Sequence, residues 1–175
     1  MFIRGENIEL RAIEPDDYLK LTQILEDPQI QLRLFGYPLE LGKTTFDDWL
    51  KASRHNKQVY YFAIKETGDL DVVGICAYQD IDYRNGSVTL WAAIAPECEA
   101  KGYGEQALKM LSINAFDQLR MEHIALYCLE NDQVSKDWAQ QAGFSRNVIL
   151  KSRIEKEDKR LDLELYSLQK EEGVG

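Results

Sequence analysis

The chain has 175 residues, of which 45% are apolar and 29% charged, and a net charge of −9. That balance fits an ordinary globular protein with a sizeable core and argues against a nucleic-acid surface, which needs a basic stripe. No apolar run approaches the ~20 residues that cross a membrane, and the two histidines lack partners at metal-ligand spacing, so no metal site is expected.

From the N-terminus, the stretch "MFIRGENIELRAIEPDD" is acidic and alternating, unlike a signal peptide. Three widely spaced cysteines without a CxxC pair are expected as free thiols in a reducing cytosol, with Cys76 and Cys128 in the core. The expected location is therefore cytoplasmic. In "NIELRAI", Ile8, Leu10 and Ala12 face one way and Asn7, Glu9 and Arg11 the other, as in a half-buried strand. "EPDDYLKLTQIL" predicts a helix, with Pro15 at its first position, acids in its first turn and a stop at Pro28. Residues 29–43 give no clear pattern, and "FGYPLELG" reads as a loop. "TTFDDWLKASRH" predicts a second helix, capped by Thr44 or Thr45, with Phe46, Trp49 and Leu50 inward.

Three strand signals follow: 59–64, 72–78 and 87–95. The short turns between them, "ETGDLD" and "DYRNG", predict an antiparallel meander. A helix over 103–119 turns Ala107, Leu108, Leu111, Ala115 and Leu119 to one face. "HIALYCL" (123–129) is an apolar strand, and the strand–helix–strand order makes 87–95 and 123–129 parallel neighbours. "SKDWAQQAGF" is a helix ended by Gly143. "NVILKSRI" and "LDLELYSL" close the chain as a hairpin. The expected fold is α+β: a mixed, mostly antiparallel seven-stranded sheet flanked by helices, with a central parallel strand pair, in one domain spanning 1–175.

"APECEAKGYGEQALKML" (95–111) carries the chemistry. Two glycines open a helix directly after a strand. A helix N-terminus offers unpaired N–H groups and a positive dipole end, and glycine lets an anion's oxygens approach them. "KGYG" is thus a candidate phosphate cradle, or else a tight turn with no ligand. "GYGEQA" fits the dinucleotide pattern G-x-G-x-x-A, but Pro96 to Lys101 separate it from the strand and a meander precedes it. The G-K-[ST] of a nucleotide-hydrolase loop is absent.

Pro96-Glu97 followed by Glu99-Ala100-Lys101-Gly102-Tyr103-Gly104 resembles the [QR]-x-x-G-x-[GA] segment of the GNAT superfamily of acyl-CoA N-acyltransferases. Asn131 after the fifth strand, the pair Gly143-Phe144 and the closing hairpin agree, and the likeness covers about residues 6–168. It is nearest to the branch that acetylates ribosomal-protein N-termini, polyamines and similar small amines. The resemblance implies acetyl-CoA as donor, without a metal. It puts the diphosphate on the N–H groups of Glu99, Ala100, Lys101, Gly102, Tyr103 and Gly104, and the pantetheine arm against the backbone of Ile94. It also puts Asn131 beside the arm or the adenosine. Small residues at Ala92 and Ala93 would permit a bulge there.

The sequence departs from the family at four places. Glu99 stands where Arg or Gln is frequent, Ala100 where a Gly often follows it, Thr89 where a Glu often acts as base, and Ala139 where a Tyr often protonates the leaving thiolate. Tyr127 and Glu130 are the substitute catalytic candidates, and Tyr37, Tyr78 and Trp91 the candidates for lining the amine pocket. The leading expectation is an N-acetyltransferase acting on a small amine or a protein N-terminus. Net acidity favours a cationic acceptor, or serves solubility alone. The alternatives are a catalytically weakened CoA-binding or regulatory module and a structural protein that keeps only the fold. A homodimer through an exposed edge strand is compatible with such a fold.

Overall fold

A computed structural model describes residues 1–35 and 46–171. The chain forms β1 (Ile3–Arg4), β2 (Ile8–Ala12), a 3₁₀ turn (Pro15–Asp17), α1 (Tyr18–Glu26), α2 (Pro28–Gln31), α3 (Phe46–Arg54), β3 (Tyr60–Glu66), β4 (Val72–Asp82) and β5 (Ser87–Ile94). A second 3₁₀ turn (Pro96–Lys101), α4 (Tyr103–Asp117), β6 (His123–Leu129), α5 (Gln133–Gln141), β7 (Ser145–Lys156) and β8 (Lys159–Gln169) complete it. The sheet order is β1-β2-β3-β4-β5-β6-β8-β7, antiparallel except for the β5–β6 pair. Eight strands therefore stand where seven were expected. The extra one, β1, is a two-residue pairing of Ile3 and Arg4 with Leu10 and Glu9, too short to leave an alternating signal.

Local chemistry sets the element ends. Arg11 and Asp17 form a two-pronged pair at 2.7 and 2.8 Å, and Asp17 also accepts from the Glu14 N–H, which closes the entry to α1. The Asp27 side chain accepts from the Gln29 N–H at 2.8 Å and Pro28 occupies the first turn, so the expected stop at Pro28 is also the start of α2. The caps expected at Thr44 and Thr45 lie outside the described residues. In the β4–β5 turn, Asp82 accepts from the N–H groups of Arg84 and Asn85, and Gly86 takes a φ of 69°.

Strand alternation assigns the two faces of the sheet. The Tyr78 hydroxyl donates to Leu111 O at 2.7 Å, so its face packs under α4. The Trp49 and Tyr61 rings lie 4.6 Å apart, so the opposite face packs under α3. Cross-strand partners share a face. The register Tyr61–Ala77–Trp91 therefore places Trp91 on the α3 side. Tyr127 joins it, because Thr89 pairs with Ala125 and Tyr127 is two residues on.

The glycines of "KGYG" have different tasks. Gly102 adopts φ 79°, a left-handed conformation that ends the 3₁₀ turn and begins α4. Gly104 is buried, and a Cβ there would lie 2.2 Å from Cε2 of Trp138. The indole of α5 therefore rests directly on the first turn of α4, and no side chain fits between. Gly104→Ala is expected to destabilise by about 1–3 kcal/mol through overpacking, against about 1–2 kcal/mol for the backbone strain of Gly102→Ala. Denaturant unfolding measures both. Adding Trp138→Leu should recover part of the loss in the Gly104→Ala background and none in the Gly102→Ala background.

Candidate active site

The parallel ladder between β5 and β6 runs only from Ser87–His123 to Leu90–Leu126. Beyond it the strands part, although each continues: β5 to Ile94 and β6 to Leu129. The register of β5 with β4 is unbroken from Leu90 to Ile94, so the bulge expected at Ala92 and Ala93 is not what separates the strands. The irregularity lies on β4 instead, between Gln79 and Asp82, where Asp80 has φ 49°.

The parting opens a cleft. Leu90, Trp91, Ala92 and Ala93 of β5 form one wall and Leu126 and Tyr127 of β6 the other. Leu108 of α4 and Trp138 of α5 close one face. Ile30, Arg33, Leu34 and Phe35 close the other, and Asp132 and Ser135 stand at the end. The backbone of β5 inside this cleft is directional. The Ala95 N–H donates to Val73 O at 2.8 Å, toward β4, and alternation turns Ala93 the same way. Ala92 and Ile94 therefore direct their N–H and C=O groups toward the gap. An extended amide-bearing chain could pair there as another strand would.

The N-terminus of α4 lies at the end of this wall. Gly102 provides no capping side chain, and the first helical bond runs from the Gln106 N–H to Gly102 O at 3.2 Å. The N–H groups of Tyr103, Gly104 and Glu105 thus precede the first intrahelical bond, and the dipole's positive end adds to them. Ala100 and Lys101 are exposed, and Lys101 is held by Glu66 at 2.8 Å.

Glu99, the residue that departs from the resemblance, is not loose. Its carboxylate is gripped by both terminal nitrogens of Arg33, with Nη2 to Oε2 at 3.4 Å. Arg33 Nε also lies 3.7 Å from Asp132 Oδ1. Asp132 is 5% exposed and caps α5 by accepting from the Ser135 N–H at 3.0 Å. Burial pushes its carboxyl above the ordinary range, against the pull of the Ser135 hydrogen bonds and the Arg33 charge. The position of α5 itself is fixed from beneath. Buried Glu164 on β8 pairs with Lys136 of α5 and with Arg146 of β7 at 3.1 Å.

The expected site residues divide. Tyr127 and Trp91 both line the cleft on the α3 side, and fully buried Ile94 faces it with its backbone. Tyr78 is fully buried, with its hydroxyl used on α4 and Asn114 Oδ1 2.9 Å away, so it lies in the core rather than beside the cleft. Glu130 is exposed, and its carboxylate accepts from the Asp162 N–H of β8 at 3.0 Å, turned from the gap. Asn131 is exposed while its neighbour Asp132 points inward. Tyr37 lies outside the described residues. Ala139 is fully buried, and the adjacent Trp138 is taken up against Gly104. Among the described residues, no group of histidine, cysteine or acidic side chains is arranged to hold a metal ion.

Arg33 and Asp132 were missed by sequence reasoning. Asp132 had a legible signal, a capping residue three positions before Ser135. Arg33 had only an indirect one: a carboxylate at Glu99 beside an anion cradle demands a cation from somewhere.

The family model for the GNAT acetyltransferase domain matches residues 7–145. The chain belongs to the GNAT acetyltransferase family. It is 23% identical over 181 aligned residues to "Putative ribosomal N-acetyltransferase YdaF" of Bacillus subtilis (strain 168), covering 98% of this chain and 96% of that one. It is 21% identical over 132 residues to the SPbeta prophage-derived uncharacterized N-acetyltransferase YokL of the same organism, covering 74% and 72%. The spermidine N-acetyltransferase of Vibrio cholerae, solved in complex with CoA and spermine, superposes with a TM-score of 0.84 at 18% identity, over 94% of this chain and 96% of that one. The fold is thus that of an N-acetyltransferase, a class that takes its acetyl group from acetyl-CoA. The free first-turn amides of α4 and the open edge of β5 suit such a donor, and Glu99 beside them does not unless it is neutralised.

The raised carboxyl of Asp132 gives a pH signature. Its charged form is disfavoured in the folded protein, so it contributes stability at low pH that is lost on ionisation. Asp132→Asn keeps the cap and removes the titration. Wild type is therefore expected to lose stability relative to the variant as pH rises from the ordinary value of 3.8 through the raised one. Above that window the difference should be constant. Denaturant unfolding across a pH series measures it, and a difference that ran the opposite way would show that the Arg33 charge outweighs burial.

Proposed function

We propose that this chain acetylates a primary amine, with acetyl-CoA bound along the open edge of β5. The acceptor class is a small cationic amine, such as a polyamine, or a protein N-terminus. The observation that carries the reading is the end of β5–β6 pairing at Leu90 and Leu126, which leaves the Ala92 and Ile94 backbone unpaired beside the α4 N-terminus. Support for the acceptor class comes from the relatives' own substrates and from the net charge of −9, which attracts cations.

Bound acetyl-CoA supplies an acetyl group already activated as a thioester. The backbone of Ala92 and Ile94 holds its arm extended, and the first turn of α4 receives its diphosphate. Trp91 and Tyr127, on the α3 side of the cleft, meet the incoming amine. That amine must be neutral to attack, so its proton leaves to water first, because an alkyl ammonium has a pKa near ~10.4. As the C–N bond forms and the C–S bond breaks, the Tyr127 hydroxyl gives its proton to the departing sulfur, and the proton released by the new amide nitrogen returns to the Tyr127 oxygen through water. Most of the rate enhancement comes from holding both reactants in register.

A second reading, a CoA-binding module with weakened catalysis, is favoured by fully buried Ala139, a methyl group where the family often has a tyrosine hydroxyl. Release of free CoA thiol across a panel of polyamines, small amines and N-terminal peptides decides between them. Amine-dependent release is expected. CoA binding without release by any amine would replace the transferase reading with the second. Tyr127→Phe is expected to lower kcat by roughly 100-fold with KM for acetyl-CoA unchanged, the typical scale for loss of a general acid.

A further inference from the structure

We infer that Arg33, on the segment after α2, is the cation that receives the donor's diphosphate. The inference rests on the donor site proposed above and adds a residue to it. Arg33 joins two features otherwise separate in the chain. It lines the cleft between β5 and β6, and its guanidinium grips Glu99 in the turn that leads into α4. A diphosphate arriving at the α4 amides meets two carboxylates, Glu99 and the buried Asp132. Neither can face a second anion in a partly desolvated site without a cation between them.

The other cations touching this turn are placed elsewhere. Lys20 pairs with Glu97 and Lys101 with Glu66, each on a side chain about half exposed. Arg33 is 19% exposed and is the cation, among the described residues, that both touches the turn and lines the cleft. Its chemistry suits the task. The guanidinium has five N–H donors in a planar fork, enough to keep Glu99 and still bind phosphate oxygens. Glu99 then acts as a positioning residue. It holds the fork at the cleft mouth before the donor arrives, so little side-chain entropy is lost on binding.

The test measures calorimetric affinity for two probes, CoA and pantetheine; pantetheine has the arm but no diphosphate. Arg33→Ala is expected to weaken CoA binding at least tenfold and to leave pantetheine binding within twofold. Arg33→Gln, which keeps length and hydrogen bonding without charge, should reproduce that pattern if the alanine variant folds poorly. The CoA affinity of both variants should also fall less steeply with added salt than that of wild type. Equal weakening for both probes would mean that Arg33 only shapes the cleft, and would overturn the inference. So would tighter CoA binding, which would make the arginine a plug. If wild type itself bound no CoA, the donor site and this assignment would fall together. Wild-type binding that survives in both variants would remove the arginine's role alone.

Discussion

Two parallel strands hydrogen-bond for four residue pairs and then diverge. Most of the cleft's construction is needed to keep that divergence open. A gap in a sheet exposes backbone donors and acceptors, which is costly unless water or a ligand meets them. Here the gap is propped rather than merely left. Trp138 rests on α4 at Gly104, where nothing larger than hydrogen fits. Buried Glu164 clamps α5 to the outer strands through Lys136 and Arg146. Asp132 caps α5 on the cleft side. Remove those supports and β5 and β6 would be free to zip further.

The two ends of the cleft differ in character. Near Trp91, Tyr127 and Phe35 it is lined by aromatic rings, suited to shielding a reaction from water and to meeting the carbon stem of a cationic amine. Near Arg33, Glu99 and Asp132 it is ionic. On the proposed reading, the charged head of the donor lies at the ionic end and its reactive end beside Tyr127.

Much of this was legible in the residues. Eleven secondary-structure segments followed from apolar runs, periodicity and turn chemistry, because each turns an apolar face toward one core. The parallel pair followed from the strand–helix–strand order alone. The glycine segment reads as an anion cradle in the sequence, and the structure shows that Gly104 is also demanded by the Trp138 indole of α5, a contact between elements that no local pattern encodes. The losses have the same cause. Tyr78 looked like a pocket residue on a strand edge, yet alternation turns it toward Leu111. Glu130 sat in the right loop but its carboxylate closes a turn with β8. Arg33 lies 66 positions from Glu99, and a pair of that separation leaves no trace in either neighbourhood.

All three cysteines are buried, and burial pushes the thiols of Cys76, Cys98 and Cys128 above their ordinary pKa. A thiol is reactive as thiolate, so the native chain should be nearly inert to alkylating and disulfide-exchanging reagents. Colour developed with such a reagent during turnover would then report coenzyme alone. With no coenzyme present, the slow appearance of the same colour would report global opening of the chain.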